Sequence, residues 1–494
     1  MTPVSQRAIA TVGSVVLAVT SLATTVPADA RDAPSSLVLA PPIASLRAAT
    51  DTVTLPKYGK RVGLDLGVYL VAGDEPIDIR ASRTSYAEPI AATVVTAHGD
   101  VPLPGGLMPD FQGAAKFFGL RLRDRDGNVV LWHKYRFCPQ YGAVRVGPDG
   151  PDTSRYPQGC PYNPYTLGAV YGVDEGYGIP VFSEYGNRPA LELGRYEAEV
   201  WMTRTYRKAF GVTYDEASVT VQVRVVKGED CLEKRLAGCA TASVPQSHNQ
   251  ALSGMPQSPV ASRPAGRAVP TVGSRPDLRS LPAFAIELHR GKWLRFAANV
   301  WNAGPAPLVV DGFRRSGEDV MDAYQYFYDT DGNQVGYAPA GAMEWDERDG
   351  HTHWHFRDFA RYRLLDKDKN HVVRSRKEAF CLANTDAVDY TVPGANWRPE
   401  NTDLRTSCGS HSALSVREVL DAGSGDTYYQ YVAGQSFDVS DLPNGTYFVA
   451  VEANPHGVLY EAATDNNVSY RKVILKGTAG HRLVRVPQVG LVEE

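Results

Sequence analysis

The sequence predicts a mainly β protein built from two antiparallel β-sandwich-like modules joined by a Pro/Ser/Gly-rich linker. Three observations carry that expectation. Apolar and polar residues alternate with period two: Val219, Val221, Val223 and Val225 point one way, and Thr220, Gln222 and Arg224 the other. Leu294, Phe296, Ala298 and Val300 alternate in the same way with Arg295 and Asn299. The 45 glycines and 34 prolines exceed the usual share, and pairs such as Asp126-Gly127 and Asp331-Gly332 separate the alternating runs as tight turns. No window of about fifteen residues holds a helical period.

The elements follow in chain order. Residues 1–30 read as a signal peptide, with Arg7, an apolar run from Ala8 to Leu22, and the cleavage pattern Ala28-Asp29-Ala30. Secretion, extracellular or at the cell surface, is therefore expected. No stretch of about 18 apolar residues occurs elsewhere, so no transmembrane segment is expected. Residues 51–238 form the first module. Residues 239–275, rich in Ser, Pro, Gln, Ala and Gly, bury too little apolar surface to order themselves and read as a flexible linker. Residues 276–480 form the second module.

A net charge of −4 argues against nucleic acid as a partner. The six cysteines of an exported chain point to disulfides. They allow fifteen pairing schemes. Nearest-neighbour pairing gives Cys138–Cys160, Cys231–Cys239 and Cys381–Cys408.

The chemistry concentrates at His351, His353 and His355, in the sequence HTHWH. Eleven histidines placed at random produce such an alternation roughly 0.005 times. On a strand the three imidazoles share a face, with the outer α-carbons about 13 Å apart. Their convergence on one ion requires a twist or bulge. Three imidazoles suit copper, zinc or non-haem iron. No H-E-x-x-H spacing accompanies them, which disfavours a zinc hydrolase.

Around these histidines the second module resembles the catalytic domain of the lysyl oxidases, copper-dependent amine oxidases with a protein-derived quinone. The resemblance runs in order through Pro276–Leu278, WLRFAANVWNAG from Trp293, Glu344–Asp366 around the histidines, RKEAFCL from Arg376, and Asp426–Pro455. It implies that His351, His353 and His355 bind copper. It implies that Lys377 and Tyr428 are the catalytic precursors of lysine tyrosylquinone, the electron sink an amine oxidase requires. Substrates are then a primary amine or a lysine-containing polypeptide, with molecular oxygen as co-substrate. The products are an aldehyde, ammonia and hydrogen peroxide. Tyr429 and Tyr431 are close rivals of Tyr428, although alternation turns Tyr428 and Tyr429 to opposite faces.

The chain departs from the family pattern in places. Gly350 and Gly434 stand where the animal enzymes have cysteines, and Arg361 replaces a histidine. His411, in CGSHSALS, is a candidate catalytic base, because imidazole titrates near neutral pH. The segment from Glu461 to Asn467 resembles the family's calcium loop, with Asp465, Asn466 and Asn467 as oxygen ligands beside Asp277 and the Leu278 carbonyl, and Ala463 where the family has an aspartate.

The competing reading is a non-catalytic secreted metal-binding β-sandwich protein that attaches to a cell-wall or extracellular polymer. The first module, rich in aromatics between Tyr162 and Tyr177, is expected to serve such attachment.

Overall fold

A computed structural model describes residues 43–138, 142–182, 188–228, 263–315, 318–347, 352–374, 379–398 and 404–489. The expected leader, Cys231, Cys239 and most of the expected linker fall outside the described residues.

The chain is mainly β, as its alternation predicts. Val221, Val223 and Val225 are buried on the strand Ser218–Lys227, while Thr220, Gln222 and Arg224 are exposed. That strand pairs antiparallel with Gly194–Met202 but parallel with Thr52–Tyr58, so one sheet of the N-terminal part is mixed rather than wholly antiparallel. The chain between the two paired strands is long enough for the crossover that parallel pairing requires. The short helix Arg204–Phe210 ends at Gly211 in the left-handed region. Cys138 and Cys160 form a disulfide, as do Cys381 and Cys408.

Among the described residues, three sheets make up the C-terminal part. The first centres on the strand Trp293–Asn302, paired with the tyrosine strand Ser424–Tyr428. The second carries the histidine strand His353–Arg357 between Gln334–Asp346 and Ala379–Phe380. The histidine strand also approaches the far end of this sheet: Trp354 N–H donates to the Cys408 carbonyl, and Ser407 pairs with Arg417 in the end strand Ser415–Leu420. The third sheet runs from His371–Arg374 to His481–Arg485. Their shared core includes Phe296, Trp354, Phe356, Phe380 and Phe437.

On Trp293–Asn302 the expected outward face is covered too. Asn299 is buried and donates to Thr427 Oγ1 at 2.7 Å. The physical reason is contact between the two parts of the chain. Tyr165 packs in one cluster with Leu281, Trp301 and Val388, and Tyr156 and Val170 pack with Tyr390. Leu167 N–H donates to the Val388 carbonyl at 2.7 Å, and Arg398 donates to the carbonyls of Ser154 and Tyr156. A tether is thus not the only connection between them. Residues 263–275 also lie along the C-terminal part, where Ala268 and Tyr337 exchange two backbone hydrogen bonds.

Candidate functional site

Alternation on the histidine strand turns Trp354 and Phe356 into the core, both fully buried, and sends His353 and His355 to the other face. There the two Nε2 atoms lie 2.9 Å apart. His355 is 1 % exposed, and its Nδ1 lies 3.3 Å from the carboxylate of Asp346. A carboxylate beside Nδ1 favours the tautomer that keeps the lone pair on Nε2, the atom turned toward His353. This pair therefore fits a metal ion, with both Nε2 atoms at one point. His351 lies outside the described residues. Among the described residues no three of His, Cys, Asp and Glu converge as a metal cluster.

The neighbouring strand continues the site. Phe356 lies opposite Phe380, and Tyr428 packs edge to face on the Phe380 ring with centroids 4.9 Å apart. The Tyr428 hydroxyl donates to the Cys381 carbonyl at 3.1 Å. Lys377 lies outside the described residues, in the segment that leads into Ala379–Phe380. Three segments separated in sequence thus meet here. Tyr428 is on the Phe356 face of the sheet and the described imidazoles on the other.

Acidic groups surround the phenol. Burial pushes the Tyr428 hydroxyl well above its ordinary pKa, reinforced by the charges of Asp426 and Glu418 and by Tyr362. Glu418 is completely buried and accepts the N–H groups of Leu382, at 2.9 Å, and Phe356. Its carboxyl is raised, first by burial and then by Asp426. Sequence reasoning missed Asp346, Glu418 and Asp426. Glu418 was the findable one, since it shares the apolar parity of Val416 and Leu420. On the opposite parity, Thr427 lies beside Asp386, which is also near Asn163, so the N-terminal part reaches the back of the tyrosine strand.

His411 is not brought to the imidazole pair. Its Nε2 lies 2.8 Å from Asp319, and its ring abuts Trp345, which faces Trp354 across the sheet. Arg361 is held by Glu452, which also takes Arg363, so a permanent cation in an ion pair occupies that position.

The acidic loop does assemble. Glu461 accepts Leu278 N–H on Oε2 and the amides of Asn454 and Asn467 on Oε1. Asp277 accepts the amide of Asn466 and the guanidinium of Arg279. The Oδ1 atoms of Asn466 and Asn467 are buried without a hydrogen-bond partner. Two carboxylates beside two orphaned amide oxygens fit a hard cation. Asp465 is exposed and contributes no hydrogen bond to the cluster.

Comparison with known proteins follows the same region. Residues 330–483 match the family model Lysyl oxidase. Protein-lysine 6-oxidase of Sus scrofa is 30% identical over 126 residues, 25% of this chain and 44% of that protein. The Homo sapiens protein-lysine 6-oxidase is 30% identical over 126 residues, 25% of this chain and 26% of its own length. Lysyl oxidase homolog 1 of Homo sapiens is 31% identical over 126 residues, 25% of this chain and 19% of its length. The match thus spans less than half the length of each of these relatives.

Proposed function

Residues 330–483 make the C-terminal part of this chain a member of the lysyl oxidase family, and from that premise we propose that it is a secreted, copper- and quinone-dependent amine oxidase. It deaminates primary amines, peptidyl lysine among them, to aldehydes with release of ammonia and hydrogen peroxide. The observation that carries this reading is the meeting of the histidine strand, the described residues Ala379 to Cys381 that follow Lys377 in sequence, and Tyr428.

In this reading His351, His353 and His355 hold copper, and Lys377 and Tyr428 are joined as lysine tyrosylquinone. The bound metal and quinone supply the oxidation chemistry that protein side chains lack. The chain's own residues do the rest. Asp346 orients His355 through Nδ1. Phe380 and the Cys381 carbonyl fix the plane and the oxygen of Tyr428. Asp426 and Glu418, buried beside that oxygen, hold and return protons there. They take this work in place of His411, which faces Asp319 and Trp345.

Calcium belongs to the same reading, bound by Asp277, the Leu278 carbonyl, Glu461, Asn466 and Asn467, with Asp465 at the rim. The orphaned oxygens of Asn466 and Asn467 support it. Attachment to a cell-surface polymer through the N-terminal part is sought at a cavity of about 810 Å³ that includes Tyr69, Val71, Val144 and Val146.

The test is amine-dependent peroxide release by copper-loaded protein beside Tyr428→Phe, across diamines and lysine peptides. Release by the wild type alone supports the oxidase and its tyrosine. Silence from both, with copper bound, moves the reading to a metal-binding protein without catalysis.

A further inference from the structure

We infer that Arg279 is a built-in competitor for the cation of the Asp277–Glu461 loop, seated on Asp277 in the metal-free chain and displaced when calcium binds. The inference rests on the calcium reading proposed above and goes beyond it, because it concerns how this chain limits its own affinity.

The geometry is specific. Arg279 lies on the strand Leu278–Ser280, one residue past Leu278, whose side chain is fully buried. Alternation sends Arg279 the other way, back along the strand edge to Asp277. Its Nε and Nη2 both donate to Asp277 Oδ2, at 3.0 and 2.8 Å. Asn466 Nδ2 donates to the remaining oxygen, Oδ1, at 2.9 Å. Asp277 is 6 % exposed, so these donors take up its carboxylate almost completely.

A hard divalent cation takes six to eight oxygen ligands, and here it needs Asp277. A carboxylate oxygen holding two guanidinium N–H donors is not available to it, and the two positive charges repel. Binding is therefore an exchange. Asn467 supplies an independent sign that the loop wants a cation: it is 5 % exposed, its Nδ2 donates to Glu461, and its Oδ1 is buried without a hydrogen-bond partner.

Arg279 also has somewhere to go. Its side chain is 48 % exposed, and its guanidinium carbon lies 6.0 Å from the centre of the Trp301 ring. A half-exposed ion pair is worth little net free energy, so the exchange is reversible rather than locked. The charge sum agrees. Asp277 and Glu461 carry two negative charges, which Arg279 half neutralises and a divalent ion neutralises fully.

The experiment is calcium titration by calorimetry on the chelator-stripped full chain, for the wild type, Arg279→Gln and Arg279→Lys. Arg279→Gln is expected to bind calcium about tenfold tighter than the wild type, having lost a charge-assisted fork on a ligand. Arg279→Lys keeps the charge without the fork and falls between the two. Thermal midpoints in excess chelator and in excess calcium provide a second readout. Calcium should raise the midpoint of Arg279→Gln more than that of the wild type. Equal or weaker calcium binding by Arg279→Gln overturns the inference while leaving the calcium reading standing. Absence of calcium binding by all three proteins overturns both. Should Arg279→Gln fold poorly, the comparison of Arg279→Lys with the wild type decides, and equal affinities there overturn the inference.

Discussion

The Tyr428 hydroxyl donates to the Cys381 carbonyl at 3.1 Å, which ties the end of the tyrosine strand to the backbone just beyond Lys377. The bond holds the phenol against the backbone of Cys381, four residues beyond Lys377, the residue proposed to be joined to the tyrosine ring. Cys381 is itself fixed by its disulfide to Cys408, whose carbonyl accepts the N–H of Trp354 on the histidine strand.

Tyr428→Phe removes that hydrogen bond and leaves the ring packing on Phe380 intact. A denaturant series should show a loss of about 1 kcal/mol, the net worth of one buried hydrogen bond. Copper-loaded wild-type protein should develop a carbonyl that reacts with phenylhydrazine, and the variant should not. A variant that keeps the carbonyl band would shift the cofactor role to Tyr429 or Tyr431.

Asp346 touches His355 on the nitrogen that faces away from His353. Replacing such an orienting carboxylate typically costs about 10–100-fold in metal affinity. Asp346→Ala should therefore weaken copper binding by about that factor in competition with a chromophoric chelator. His355→Ala, which removes a ligand, should weaken it further. Unchanged copper affinity in Asp346→Ala would remove the orienting role.

Asp421 gives a pH dependence with a definite sign. Burial pushes its carboxyl up to about 6 from 3.8, partly offset by hydrogen bonds from Asn384 and Asn396. The folded state therefore holds a proton between about pH 4 and 6 that the unfolded chain has released. Stability then falls as pH rises through that window, by about 3 kcal/mol at most, and levels off above it. Asp421→Asn should flatten this part of the profile in denaturant melts at pH 4, 5, 6 and 7. A variant with the wild-type slope would assign the effect to another group, Glu418 being the nearest in kind.

What the sequence made legible was whatever depends on local spacing. The parity of Val221, Val223 and Val225, the shared face of His353 and His355, and the nearest-neighbour disulfides Cys138–Cys160 and Cys381–Cys408 all follow from short-range rules. What it hid depends on pairing between distant strands. Asp346 meets the imidazoles only because of the register that sets it opposite His353. Asn299 is buried because Thr427 and the Tyr165–Trp301 cluster cover its face, which no alternation rule anticipates. Glu418 stands between these cases: its parity marked it as inward, but its partners Leu382 and Phe356 come from segments distant in sequence.

Three hairpin turns share one design, and its single departure yields the last prediction. Asp124, Asp329 and Asp366 each accept two N–H groups on Oδ1 and one Asn amide on Oδ2. The fourth residue is left-handed in each: Gly127 at φ +81°, Gly332 at φ +81° and Lys369 at φ +63°. A Cβ added at Gly332 meets nothing within 4 Å, so Gly332→Ala should cost only backbone strain, about 1 kcal/mol. At Lys369 that strain is already present, and its ammonium lies 4.1 Å from the centre of the Tyr470 ring. An exposed cation–π contact is worth about 0.5–1 kcal/mol, close to the strain it offsets. Lys369→Gly should therefore be nearly neutral in the wild type, yet stabilising by about 0.5–1 kcal/mol in a Tyr470→Leu background. A double-mutant cycle by denaturant midpoints measures this, and additive single effects would show that the ring does not hold the lysine in its left-handed conformation.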